Sequence, residues 1–329
     1  MANEKIAEFL NKLGIQKIKQ IKAFPKGNIN ESYFVDSELG SYVFRIYFHK
    51  QKKEIEDDLK LLRRLKGIPV PRPEVFKGGE IHKLGDKWVV LFSFLPGAHA
   101  KDFDINLLSE VGKFLGVFHK LSKKSKWRGP KTKFYGLTRS KIHEIKLVIE
   151  KTDIPHKKFF PEILGELEMN LIRRRLPEGP IHTDVKPENV LFKDGKLSGV
   201  LDFDNAYVGP LILDVSKSMA WFGSKNRMFD MNKAIHIYHG YQHTRRLTAI
   251  EKEEFYKMLR FAFVSHVFMD YYMYATGKIS RKYFDFIVKN FYASYKHFKQ
   301  TPKESFMKLL TSILPPTTHR VPLKRRKGN

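Results

Sequence analysis

Cysteine is absent from this 329-residue chain. That removes disulfides, thiolate nucleophiles and cysteine-ligated zinc from its chemistry and suits a cytoplasmic address. Long apolar runs are missing too. The longest lies around WVVLF, Trp88 to Phe92, far short of the roughly 20 residues a helix needs to cross a bilayer, so no membrane span is expected. The opening MANEKIAEFLNKL sets Ile6, Phe9, Leu10 and Leu13 at helical spacing beside acids, the pattern of an amphipathic helix and not of an export signal. Acidic residues are scarce against basic ones, 35 to 61, which brings a polyanionic partner into consideration. The lysines are scattered, however, and only LKRRKGN from Leu323 forms a compact basic run. A solvated surface is therefore expected ahead of a nucleic-acid face, and the positive field opposes polycationic substrates.

What is present is enough apolar residue, 42%, to bury one large core or two adjoining ones. The first ninety or so residues carry strand-length apolar or alternating runs, IKAF, ESYFVDS, SYVFRIYF and KWVVLFSFL, separated by glycine and proline. Between the third and fourth, KKEIEDDLKLLRRL places Ile55, Leu59, Leu62 and Leu65 near one helical face, and GIPVPRP ends that helix. After Pro96 and Gly97 the periodicity becomes helical: NLLSEVGKFLGVFHKL, PEILGELEMNLIRRRL, then long aromatic segments from Asn232 to Leu314. The expected fold is α+β in two lobes: a β-rich lobe over 1–96, a mainly helical lobe over 97–315, and a basic tail over 316–329.

One β signal interrupts the helical half. In GPIHTDVKPENVLFKDGKLSGVLDFDNA, from Gly179, the spacing HxDxxxxN (His182, Asp184, Asn189) precedes two apolar runs joined by Asp194-Gly195, a tight-hairpin dipeptide, and then Asp202. With a two-residue turn, Asn189 is expected opposite Val200, leaving Asp202 about 7 Å farther along by strand rise. An amide and a carboxylate so placed suit magnesium, which takes oxygen ligands and completes its shell with water and nucleotide phosphate. Asp184, in the loop before them, is free to orient an incoming hydroxyl and accept its proton.

These residues resemble the aminoglycoside phosphotransferase superfamily, the small-molecule relatives of protein kinases, and most of all the bacterial homoserine kinases. The resemblance extends over nearly the whole chain. GNINESYFV resembles the family's nucleotide-covering hairpin, with Gly27, Asn30 and Ser32 at the nucleotide, and YVFRIY its third strand, with Arg45 where many kinases keep the ATP-phosphate lysine. It implies an acid on the following helix as partner of Arg45: Asp58, with Glu54 and Glu56 as alternatives. LFSFLPG resembles the hinge, implying that backbone groups of Ser93, Phe94 and Leu95 bond adenine. Asp184, Lys186 and His182 are implied as the catalytic group, Asn189 and Asp202 as the Mg2+ ligands, and Asp214 in LILDV as the acid bracing the catalytic loop. VGKFLGVFHKL looks like the first helix of the second lobe, with His119 a buried structural histidine. GYQHTRRLTAIEKEEF is similar to a homoserine-kinase segment. ATP and Mg2+ are thus the expected cofactors and a small hydroxyl compound the expected acceptor.

The sequence also departs from the relatives it resembles. Lys186, Pro187 and Glu188 follow the protein-kinase arrangement, whereas homoserine kinases commonly have an aromatic residue or histidine there. Asp214 follows within twelve residues of Asp202, which leaves no room for an activation loop or a peptide-docking platform. His236, His239 and His243 share helical spacing, but Gly240 is expected to interrupt the helix and no carboxylate or cysteine stands close by to complete a zinc site. The aromatic segments FVSHVFMDYYMYA and FDFIVKNFYASYKHF read as core at helical spacing, with Asp270 a candidate to hold a substrate amine.

Overall fold

The computed structural model describes residues 3–25, 30–125, 127–130 and 136–312. Gly27 and the whole basic tail lie outside the described residues. After helix α1 (Asn3–Lys12), strands β1 (Ile18–Ala23), β2 (Asn30–Ser37) and β3 (Gly40–Tyr47), helix α2 (Lys52–Arg64), and strands β4 (Ile81–Leu84) and β5 (Lys87–Ser93) build one antiparallel sheet in the order β1-β2-β3-β5-β4. Period-two alternation sorts its side chains onto two faces. Phe44, Ile46, Val89 and Leu91 pack with Ile6 and Leu10 of α1, whereas Val90 and Phe92 pack with Ile55, Leu59 and Leu62 of α2. Arg45, directly opposite Val90, shares this second face. Strand β4 was not among the sequence-expected runs, because four residues give too little alternation to register.

The remainder is helical around three short two-stranded sheets, one of them Ser224–Lys225 paired with Met228–Phe229. Helices α3 (Ile105–Lys124), α4 (Arg139–Lys151) and α5 (Phe160–Met169) precede strand β6 (Glu178–Ile181), the hairpin β7 (Val190–Lys193) with β8 (Lys196–Val200), and strand β9 (Tyr207–Pro210), which pairs with β6. Then come α6 (Leu211–Gly223), α7 (Met231–Thr244), α8 (Ala249–Ala275), α9 (Arg281–Phe286), a π turn (Ile287–Phe291), α10 (Tyr292–Lys299) and α11 (Lys303–Ser312). The fold is therefore protein-kinase-like, a β-rich lobe joined to a helical one.

Two sequence expectations fail here for local reasons. The helix drawn from Pro161 to Leu176 stops at Met169, since the Asn170 side-chain amide donates to the Glu166 carbonyl at 2.7 Å and caps the end. Gly240 does not break α7. It lets α7 lie against α3, because a Cβ there would stand 2.1 Å from the Ser109 carbonyl oxygen, and a Cβ on Gly112 would stand 2.0 Å from that of Ile237. The glycines serve close packing of the two helices.

Candidate active site

The catalytic-loop residues are positioned by a buried acid. Asp214, in the first turn of α6, accepts the His182 backbone N–H at 2.7 Å and that of Thr183, and lies 3.0 Å from His119 Nε2. His119 Nδ1 in turn meets the Tyr241 hydroxyl at 2.8 Å. Burial works to raise the Asp214 pKa, but the bond from His119 and the charges around it win, so its carboxyl is held below the ordinary range. Thr183 sits in the left-handed region at φ 68°, as does Asp202 at 64°, and strained non-glycine residues of this kind collect at functional sites.

His182 does not face the cleft as a reactive group, contrary to its expected place in the catalytic set. Its Nδ1 receives the Asp184 N–H at 3.2 Å and its Nε2 lies 2.9 Å from the Leu201 carbonyl oxygen. Both nitrogens are engaged by backbone, so the ring spaces the loop from the hairpin. Asp184 itself is held from two sides. The Asn189 amide donates to its carbonyl at 2.8 Å and to Oδ2 at 2.9 Å, and Lys186 Nζ lies 3.2 Å from the same Oδ2. Oδ1 is left for other partners. Burial works against the charge of Lys186, but Asp184 and Glu188 outweigh it and raise its pKa.

The hairpin register differs from the expected one. Asp194 and Gly195 form the turn, both at positive φ, yet Val190 and not Asn189 stands opposite Val200. The register shifts beside Leu191 because an extra residue, Ser198, bulges from β8. Asn189 consequently bonds across to Leu201, whose N–H donates to its carbonyl at 2.8 Å. That brings Asn189 one residue closer to Asp202 than a regular ladder would.

The pairing of Arg45 is also corrected. Asp58 does not take it, nor do Glu54 and Glu56; Arg45 Nη2 reaches Asp202 at 3.0 Å and Asp204 at 2.6 Å, in the other lobe. Asp58 instead holds Lys50, which also meets Asp204 Oδ1 at 3.1 Å. Lys50 follows the strand after a short turn, and from there it reaches the buried face of α2. Glu54 is occupied in the α2 capping box, accepting the Gln51 N–H at 2.9 Å. Asn30 Nδ2 adds a bond to Asp204 at 2.8 Å. Burial opposes both cations, but their acids raise the pKa of Arg45 and of Lys50, so both stay charged.

At the hinge, the Ser93 N–H donates to the Arg72 carbonyl at 2.8 Å and the Phe94 N–H to that of Ser41 at 3.2 Å. These two donors are therefore taken, and of the three expected hinge residues only the Leu95 N–H and the carbonyls remain to be considered for a base. Phe94 packs edge-on to Phe34, 4.9 Å between centroids. Beside them opens a cavity of about 710 Å³ lined also by Gln20, Lys22, Ala23, Phe24 and Pro25. Ser32 lies on β2 opposite Arg45.

Sequence reasoning missed Lys50, Asp204, Lys217 and His266. Asp204 was visible as the second acid of LDFD, two residues past Asp202. Lys217 is the lysine in LILDVSKSMAWFG, a helix in which every residue is buried.

Residues 20–250 match the sequence profile of a family described as phosphotransferase enzymes. Among curated proteins, the chain is 28% identical over 250 residues to a homoserine kinase of Beijerinckia indica, covering 74% of this chain and 77% of that one. It is 26% identical over 261 residues to a homoserine kinase of Rhodopseudomonas palustris, covering 77% and 79%. Among solved structures it resembles the amicoumacin kinase hAmiN in complex with AMP-PNP and Ca2+, with a TM-score of 0.67 at 16% identity over 92% of this chain and 97% of that one. Choline kinase from Cryptosporidium parvum gives 0.66 at 14% over 93% and 98%. Over most of its length, then, this chain belongs to the phosphotransferase enzyme family and is a small-molecule kinase.

Proposed function

We propose that the protein transfers the γ-phosphate of ATP to the hydroxyl of a small metabolite, with homoserine the leading acceptor. The observation that carries this reading is the constraint on Asp184, whose Oδ2 is fixed by Asn189 and Lys186 while Oδ1 stays available. An acceptor hydroxyl bound to Oδ1 is aligned for in-line attack and gives up its proton there as the phosphoryl group transfers. Lys186, already at the carboxylate, stands where it can bond the transferring phosphoryl oxygens. Arg45 and Lys50 restrain the other phosphates, exchanging Asp204 for phosphate oxygens, and Asp58 keeps Lys50 aimed at them. The Leu95 N–H and the hinge carbonyls bond adenine, with Phe34 and Phe94 at its edge.

The residues fit a divalent cation, Mg2+ being the reading adopted. The donor set is oxygen only: Asn189 spends its amide N–H on Asp184, which leaves its carbonyl oxygen, and Asp202, its side chain 37% exposed, has only Oδ1 tied to Arg45. Such an ion supplies neutralisation of the triphosphate charge. Homoserine is favoured by the two curated relatives named above, which are homoserine kinases. A panel of hydroxyl acceptors, comprising homoserine, amino alcohols and sugars, assayed by ADP release tests the reading. Homoserine should give the highest kcat/KM, and Asp184→Asn should lower kcat about 100- to 10,000-fold while Mg-ATP still binds. Wild-type turnover by that variant would overturn the role of Asp184.

A further inference from the structure

Below the catalytic loop, α6 and α8 face each other with three buried ionisable side chains that the phosphoryl-transfer scheme leaves without a task. Lys217 is 1% exposed, His266 4% and Asp270 7%. Lys217 Nζ lies 3.4 Å from His266 Nδ1, and His266 Nε2 lies 3.2 Å from Asp270 Oδ2. That last contact lacks hydrogen-bond geometry, and Asp270 Oδ2 has no hydrogen-bond partner among the described residues. Trp221 Nε1, on the same face of α6, has none either. Buried polar atoms are nearly always bonded, so their concentration here marks a place where a ligand supplies the partner.

The cluster adjoins the reacting centre. Lys186 Nζ stands over the Trp221 ring, 5.4 Å from its centroid, and the same ring meets His266 edge-on at 4.9 Å. Phe291 closes the far side against both rings, at 4.4 and 5.4 Å. It ends the π turn, and π insertions in helices gather at functional sites. The charged and titratable groups that act on the cluster are Asp184, Lys186 and Asp214 from the catalytic loop and α6, with Tyr283 from α9.

We propose that Lys217 and Asp270, spaced by His266, are the specificity determinants for the acceptor and read both charges of a zwitterionic hydroxy amino acid, Lys217 holding its carboxylate and Asp270 its ammonium. The inference rests on the phosphotransferase reading above and deepens it. A lone cation would meet the ammonium groups of Lys186 and Lys217, and a lone anion the carboxylates of Asp184 and Asp270; only a ligand bearing both charges satisfies both ends. The dimensions agree. From Lys217 Nζ across the imidazole to Asp270 Oδ2 is at most about 9 Å, and an amino-acid head group with a charge-assisted bond of about 2.8 Å at each end spans about 8 Å. Burial drives both groups toward neutrality, Lys217 down to about 7 and Asp270 up to about 7. The zwitterion restores both charges at once.

The test compares homoserine with 3-aminopropan-1-ol, which lacks the carboxylate, and 4-hydroxybutanoate, which lacks the ammonium. Serine and threonine are included as other hydroxy amino acids. The wild type should prefer homoserine over each truncated acceptor by about 30- to 100-fold in kcat/KM. Lys217→Met should collapse the ratio against 3-aminopropan-1-ol but not the other ratio, and Asp270→Asn the reverse. Calorimetry at pH 7 in buffers of different ionisation heat gives a second readout. Homoserine binding should exchange almost no net proton in the wild type, release protons in Lys217→Met, where only Asp270 ionises, and take them up in Asp270→Asn, where only Lys217 does. Equal losses on all acceptors in both variants, with homoserine still the wild-type substrate, would overturn this assignment and leave the homoserine reading intact. Turnover of serine or threonine in place of homoserine would overturn homoserine and keep the assignment. Best turnover of an amino alcohol or a sugar, or of no acceptor at all, would overturn both. Should a variant not fold, the wild-type ratios alone decide.

Discussion

Two clusters of charge adjoin the catalytic loop, and burial has opposite outcomes in them. Between the lobes, Arg45 and Lys50 face Asp58, Asp202 and Asp204, and the cations hold their protons more tightly than usual. Between α6 and α8, Lys217 and Asp270 are buried more deeply, and both drift toward the neutral form. Desolvation penalises all of these groups alike. Beside Arg45 and Lys50 the neighbouring acids outweigh that penalty; at Lys217 and Asp270 the penalty outweighs the charges around them.

The strongest test of this contrast is a buried acid whose partners are all in place. In Asp214→Asn the new amide would confront the His182 and Thr183 N–H donors with one oxygen where two now serve. A loss of about 3–5 kcal/mol is expected from the denaturant midpoint, accompanied by lost turnover. The pH dependence has a definite sign. The folded-state pKa of Asp214 is depressed, so its stabilisation is complete above the ordinary carboxylate range, near pH 4, and is lost as pH falls through the lower folded value. The variant should therefore unfold with a shallower acid limb. An unchanged limb would mean that Asp214 is not held by its partners as described.

Next in size is the pair that the sequence misassigned. Lys50→Met leaves Asp58 buried without its cation and should cost about 2–3 kcal/mol. Arg45→Met strips one donor from Asp202 and Asp204, which are less buried, and Asp204 keeps Asn30 and Lys50, so about 1 kcal/mol is expected. If Arg45 were the partner of Asp58, the order of the two losses would invert. Equilibrium unfolding of both variants decides it.

The two lobes, the β7–β8 hairpin and the residues grouped at the catalytic loop were legible because each depends on local chemistry: alternation, helical periodicity, a turn dipeptide. What was not legible depends on geometry between segments. The Ser198 bulge changed which residue opposes Val200, and no local signal announces a bulge in KLSGV. Asp58 lies on the same side of α2 as the core leucines, which made it a reasonable partner for Arg45. Its actual partner turns on how the chain leaves β3, since Lys50 folds back while Arg45 points across the cleft. His182 fits the motif, but only the structure shows both its nitrogens on backbone groups. Lys217 was in plain view, and its meaning appeared only once α6 proved to be buried all round.

The smallest effect expected concerns Asp204, which stands where the two kinds of charge meet. It occupies Arg45, Lys50 and Asn30 together, so under the proposed placement of ATP its carboxylate has to be displaced before the phosphates reach those donors. Asp204→Asn keeps the shape and removes the competing charge. Metal-free ADP should then bind about 3- to 10-fold tighter by calorimetry in a chelator, a change of about 0.7–1.4 kcal/mol. Because the acid is partly exposed, the gain should shrink at high salt, whereas a purely steric effect would not. Weaker binding would show instead that Asp204 organises Arg45 and Lys50 for the phosphates and does not compete with them.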